Sequence, residues 1–173
     1  RIFNAAVALG HPAAELAAPA DSITFCLSKA LGAPVGSVVC GETAFIAQAR
    51  RMRKLLGGGM RQAGVLAAAG IVALEEMVSR LAEDHANAQR LARGLNDVDG
   101  LIVDVAAVET NLVYIKVTHP ELTAPELAQR LTSRGVQVLA ASGELIRAVP
   151  TYHVSPGEID AAVERFRQCI EEI

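Results

Sequence analysis

Lys29 is the residue of this chain best placed for covalent chemistry. It follows the apolar run Ile23 to Leu27 and precedes the turn-forming stretch Gly32-Ala33-Pro34-Val35-Gly36. A lysine at the end of a buried strand sits in an apolar pocket, which lowers the pKa of its amine and frees it to form a Schiff base with a carbonyl. A lysine that snorkels from the strand end into solvent is the alternative. Gly57-Gly58-Gly59, followed by Met60-Arg61, allows close backbone approach to a ligand, but it lacks the Gly-Lys-Ser/Thr ending of a nucleotide P-loop. A helix end with its loop is the other reading of those glycines. His11, His85, His119 and His153 have no metal-ligand spacing, so no metal is expected. Cys26, Cys40 and Cys169 form no C-x-x-C pair and leave an odd count, which points to a reduced compartment and a cytoplasmic location.

The elements that must position Lys29 are short. Helices are expected at Ile2 to Leu9 and Pro12 to Ala18, with strands at Ile23 to Leu27 and Ser37 to Cys40 that read as buried on both faces of a parallel or mixed sheet. Glu42 to Leu56 reads as a helix with Phe45, Ile46, Met52, Leu55 and Leu56 near helical spacing, ending at the three glycines. Arg61 to about Asn96 reads as one long helix or a bent pair, with Leu81, Ala88, Leu91 and Leu95 in an apolar stripe. Leu101 to Val105, Leu112 to Val117, Val136 to Leu139 and Leu145 to Val149 read as strands. Thr123-Ala124-Pro125-Glu126 and Ser155-Pro156-Gly157-Glu158 are capping boxes that open two further helices. The second half is thus an α+β unit with an antiparallel sheet. Of the 173 residues, 51% are hydrophobic and the net charge is −3, which offers nothing to nucleic acid. The apolar run Ala63 to Leu74 is too short to span a bilayer, so no membrane partner is expected.

Four blocks carry a family likeness. Phe25 to Ser37, F-C-L-S-K-A-L-G-A-P-V-G-S, resembles the cofactor-lysine segment of low-specificity threonine aldolases. Leu56 to Gly70 (L-G-G-G-M-R-Q-A-G-V-L-A-A-A-G), Glu109-Thr110-Asn111, and Ile146 to Val154 (I-R-A-V-P-T-Y-H-V) resemble further blocks of that family in the same order. The resemblance implies a pyridoxal 5'-phosphate enzyme of α/β fold. Residues 1–77 would be the C-terminal part of a fold-type-I large domain, and 78–173 a small α+β C-terminal domain. It also implies that the chain is a fragment, since Arg1-Ile2-Phe3-Asn4-Ala5 matches a segment past the middle of the family's cofactor domain.

The likeness assigns roles by residue. Lys29 is the lysine that binds the cofactor, and Arg1 lies near the cofactor's phenolic oxygen. Arg61 contacts the phosphate, with Lys54 and Arg61 reaching into a neighbouring subunit's site. Ser28 donates to the phosphate or makes a local turn contact. Arg147 is the candidate for the substrate carboxylate, which a guanidinium holds by two parallel hydrogen bonds; an arginine facing solvent from a strand is the alternative. The implied partners are an amino-acid substrate and further copies of the chain, in a homodimer or homotetramer.

Ala30 stands where the family usually has glycine, and Pro150-Thr151 replaces its usual Thr-His or Thr-Asn. Proline removes a backbone donor and biases Val149 toward extended backbone, which alters the loop after Arg147. The expected reaction is cleavage of L-threonine or L-allo-threonine to glycine and an aldehyde. A related β-eliminating lyase and a non-catalytic assembly fragment remain alternatives.

Overall fold

Two capping boxes close as the sequence requires. Thr123 Oγ1 accepts from the Glu126 N–H, and Glu126 Oε2 accepts from the Thr123 N–H at 2.9 Å. Ser155 and Glu158 repeat the arrangement, with the Ser155 N–H to Glu158 Oε2 at 2.7 Å. Each pair satisfies donors that a helix start leaves orphaned.

The computed structural model describes all residues, Arg1–Ile173, and the chain divides into two units, Arg1–Leu81 and Ala82–Ile173. The first unit holds α1 (Ile2–Leu9), α2 (Ala13–Ala17), β1 (Ser22–Cys26), β2 (Ser37–Gly41), α3 (Thr43–Leu55) and α4 (Gly64–Glu75). The second is built from α5 (Leu81–Asn96), β3 (Leu101–Ile102), a 3-10 turn at Val105–Ala107, β4 (Val113–Val117), α6 (Ala124–Ser133), β5 (Leu139–Ala140), β6 (Leu145–Ala148) and α7 (Pro156–Glu171).

In the first unit, β1 and β2 pair antiparallel as a two-stranded ribbon, with Ser22 opposite Gly41 and Cys26 opposite Ser37. This corrects the expectation of strands buried on both faces: no third strand flanks the ribbon, and Thr24, Val39 and Cys40 are exposed. The small core gathers Leu27, Ala30, Leu31, Ala33, Ala73 and Leu81, with Phe3, Val7 and Phe25 packed against it. Phe3 and Phe25 meet edge to face, their centroids 5.1 Å apart. The helix expected from Arg61 to Asn96 is a pair. Residues 61–63 are outside it, Gln62 has φ 52°, and a turn at 76–80 separates α4 from α5.

The second unit is a four-stranded antiparallel sheet of order β3-β4-β6-β5. Val113, Ile115, Val117, Ile146 and Ala148 form one buried face of β4 and β6. They join one core with Ala88, Leu91 and Leu95 of α5, Leu127 and Leu131 of α6, and Ile159 and Phe166 of α7. Alternation then sends Tyr114, Lys116 and Arg147 to the opposite face. Two strands are shorter than their apolar runs. Asp104 accepts from the Ala106 and Ala107 N–H groups, which ends β3 in the 3-10 turn. The Val136 N–H donates to the Leu131 carbonyl and closes α6, so β5 begins only at Leu139.

Thr123→Ala and Ser155→Ala should each cost about 1 kcal/mol in urea unfolding, the usual value of an N-cap. Hydrogen bonds from Thr123 and Ser155 hold the Glu126 and Glu158 carboxyls below the usual carboxylate range. Depressed folded-state pKa values contribute stability above the unfolded carboxylate pKa, about 4.3, and lose it as pH falls through the folded value. Glu126→Gln with Glu158→Gln should flatten that acid limb. An unchanged limb would contradict the assignment.

Candidate active site

Residues 27–36, between β1 and β2, carry the lysine. The Leu27 N–H donates to the Gly36 carbonyl at 2.9 Å and the Ala33 N–H to the Leu27 carbonyl at 3.1 Å, so the loop closes on itself at its base. A turn from the Lys29 carbonyl to the Gly32 N–H, 2.9 Å, forms its tip. Gly32 and Gly36 have φ of 73° and 117°, which other residues rarely adopt. Leu27, Ala30, Leu31 and Ala33 are buried while Ser28 and Lys29 are exposed. Gly70 of α4 approaches so closely that a Cβ there would lie 2.9 Å from Leu27 Cδ1.

Lys29 is therefore an exposed amine on a loop anchored by its neighbours, which corrects the expectation of a lysine buried in an apolar pocket. The strand stops at Cys26, and the turn points residues 28 and 29 outward while the alanines and leucines face the core. A single recess is lined by Arg1, Phe3, Asn4, Cys26, Lys29, Ala30 and Leu31. Two cations thus share one recess with the buried Asn4, a donor set suited to an anionic carbonyl compound.

Two of these residues escaped the sequence reasoning. Asn4 lies one helical turn beyond Arg1, and Cys26 lies three residues before Lys29; the spacing was available in both cases. The Ser37 hydroxyl donates to Cys26 Sγ at 3.5 Å. That bond, with the nearby Lys29 charge, holds the thiol below its ordinary pKa.

Lys54, Arg61 and Arg147 are not among the residues that line this recess. Lys54, in the last turn of α3, folds over the glycine loop: a Cβ on Gly59 would lie 3.3 Å from its Nζ. Arg61 is exposed just beyond. Arg147 belongs to the second unit, at the centre of β6, opposite Tyr114 on β4 and Leu139 on β5. It is half-buried, and its Nε is buried with no hydrogen-bond partner in the chain. A buried guanidinium N–H without an acceptor is costly, and a carboxylate would satisfy it. His153 stacks on Tyr152 with centroids 3.8 Å apart, and no cluster of three or more His, Cys, Asp or Glu could hold a metal.

Comparisons place this geometry among known folds. A crystal structure from Listeria monocytogenes, of a protein put forward as an L-allo-threonine aldolase, superposes with a TM-score of 0.79 at 18% identity, over 99% of this chain and 50% of that one. A structure described as SPT with a PLP internal aldimine superposes at 0.69 and 20% identity, over 94% and 44%. These likenesses define the class as the fold of fold-type-I pyridoxal-phosphate enzymes. The beta-eliminating lyase family model matches residues 1–118, and the chain belongs to that family. It is 44% identical over 171 residues to low-specificity L-threonine aldolase 1 of Arabidopsis thaliana, covering 98% of this chain and 48% of that protein. The chain spans about half the length of the curated relatives it matches.

Iodoacetamide should label Cys26 at lower pH than Cys169, whose thiol burial pushes up. Ser37→Ala should raise the pH at which Cys26 reacts. A Cys26 profile that Ser37→Ala leaves in place would contradict the described hydrogen bond.

Proposed function

We propose that this chain is the lysine-bearing and carboxylate-binding part of a pyridoxal 5'-phosphate-dependent carbon–carbon lyase. Its substrates are L-threonine, L-allo-threonine and related β-hydroxy-α-amino acids, and its products glycine and an aldehyde. The observation that carries this reading is the sharing of one recess by Lys29 and Arg1, in a chain similar along its length to a threonine aldolase. In this reading residues 1–77 are part of the large cofactor-binding domain and 78–173 the small domain. The three free cysteines accord with a reducing, cytoplasmic setting.

The residues fit the cofactor's chemistry. The exposed Lys29 amine would bond to the cofactor's aldehyde, and Arg1, which shares its recess, would supply positive charge to the phenolic oxygen. Ser28, beside the lysine, offers a hydroxyl donor. Lys54 and Arg61 bracket the glycine loop and supply positive charge to a phosphate, in the site of a neighbouring subunit. Arg147 receives the substrate carboxylate, which supplies the acceptor its buried Nε lacks. Fixing that carboxylate would fix rotation about the substrate's N–Cα bond and so select which bond at Cα breaks. When bound, pyridoxal phosphate supplies an electron sink for the bond that breaks. Net, aldol cleavage would break the Cα–Cβ bond and move one proton from the β-hydroxyl to Cα, releasing the aldehyde and leaving glycine.

The surface supports self-association. Met52, Leu55, Leu56, Met60 and Val65 are all exposed along α3, the glycine loop and α4, and α4 carries no charged residue before Glu75. A helix apolar on all sides needs cover, and a second copy of the chain supplies it in a homodimer or homotetramer.

The test joins this chain to the part of the Arabidopsis relative outside the matched 171 residues. With L-threonine, the product should be glycine with acetaldehyde. A second reading, elimination at Cβ, has the family's name in its favour and would give 2-oxobutanoate and ammonia instead. Lys29→Ala should abolish turnover, and Arg147→Ala should raise the KM about a hundredfold, as loss of a buried charge-paired contact does. By light scattering the fusion should be a dimer or larger, and Leu56→Asp with Val65→Asp should shift it toward monomer. Neither product, or a KM that Arg147→Ala leaves unchanged, would overturn the corresponding assignment.

A further inference from the structure

The ladder between β4 and β6 pairs Val113 with Ala148 and Tyr114 with Arg147. Continued two residues further on each strand, that register sets Asn111 opposite Pro150. Pro150 has no N–H, so a backbone ladder cannot be sustained there in the usual way. Instead the Asn111 side chain, fully buried, donates from Nδ2 to the Pro150 carbonyl at 2.9 Å. At the other end of the same loop, the nearly buried Asn87 of α5 donates from Nδ2 to the Val154 carbonyl at 2.8 Å. Between these two anchors Val149, Pro150 and Val154 line a recess of about 220 Å³ that extends to Phe166, and Val154 packs against the core. The segment that leaves Arg147 is thus tied down at both ends by asparagine amides.

We propose that Asn111 is a positioning residue for Arg147, holding the end of β6 so that the guanidinium meets a substrate carboxylate, with Asn87 bracing the far end of the loop. The inference rests on the assignment of Arg147 to the carboxylate. Asn111 touches no substrate in this account. It acts on carboxylate recognition and leaves cofactor attachment alone, because Lys29 and Arg1 lie in the other unit.

The experiment uses the same fusion loaded with pyridoxal phosphate, titrated with glycine and with methylamine, which is glycine without its carboxylate. Binding is read from the change in cofactor absorbance. Asn111→Ala should weaken glycine about tenfold, the loss expected when a buried hydrogen-bonded group is left unpaired. Methylamine affinity and cofactor content should stay as they were. In an Arg147→Ala background, Asn111→Ala should weaken glycine no further, since a residue acting through Arg147 has nothing left to position. Should Asn111→Ala fail to fold, Asn87→Ala probes the other end of the loop by the same comparison. Equal weakening of both amines would mean a merely structural role and overturn the proposal, as would glycine affinity unchanged by both asparagine variants while Arg147→Ala weakens it. Glycine affinity unchanged in Arg147→Ala itself would overturn the carboxylate assignment, and the positioning role with it.

Discussion

The first unit depends on one constraint: a lysine is presented to solvent from a loop whose neighbouring residues are anchored in the core. Its neighbours meet that constraint by burial. Leu27, Ala30, Leu31 and Ala33 pack with Ala73 and Leu81, and Phe3, Val7 and Phe25 close over them. Hydrogen bonds at the base and tip of the loop add to that anchorage. The backbone that carries the amine is thereby preorganised, while the exposed lysine side chain keeps its own rotamer freedom. Because α1 supplies Phe3 to this core and Asn4 to the recess, with Arg1 capping its start, the packing that anchors the loop also places the groups beside the amine.

The second unit solves a different problem by similar means. Its sheet is covered by helices on one face only, and Arg147 rises from the other. A charged side chain at the middle of a four-stranded sheet is tolerable because its two cross-strand partners, Tyr114 and Leu139, leave its guanidinium partly open. The strands that carry it are short, so polar side chains complete what the backbone ladder leaves undone. Gln89 Nε2 donates to the Val105 and Val108 carbonyls, and Asn87 and Asn111 hold the loop beyond β6. Buried amides of this kind are costly unless satisfied, and here the described bonds satisfy backbone carbonyls that have no strand partner.

Much of this was legible in the sequence where the signal is local. The Ile2–Leu9 helix matches its apolar run residue for residue, and both capping boxes form as their side chains dictate. The stripe Leu81, Ala88, Leu91 and Leu95 is buried throughout. Errors arose where tertiary context decides. Ile23 to Leu27 and Ser37 to Cys40 read as buried strands because apolar runs report the tendency to be covered, whereas here the two strands pair only with each other. Lys29 read as buried for the same reason, although the turn after Cys26 sends it outward. The roles of Asn4 and Asn111 depend on which residues lie across from them, which no periodicity reveals.

The most direct measurement of the central claim is reductive trapping. The fusion, incubated with pyridoxal phosphate, is reduced with borohydride, digested, and mapped by peptide mass spectrometry. The chain has three lysines, Lys29, Lys54 and Lys116, all accessible to a reagent. If the anchored loop and its recess select one amine, this chain's modified peptides should carry the label at Lys29 alone, and Lys54 and Lys116 should stay unmodified. Label spread across the three lysines, or absent from Lys29, would contradict the account.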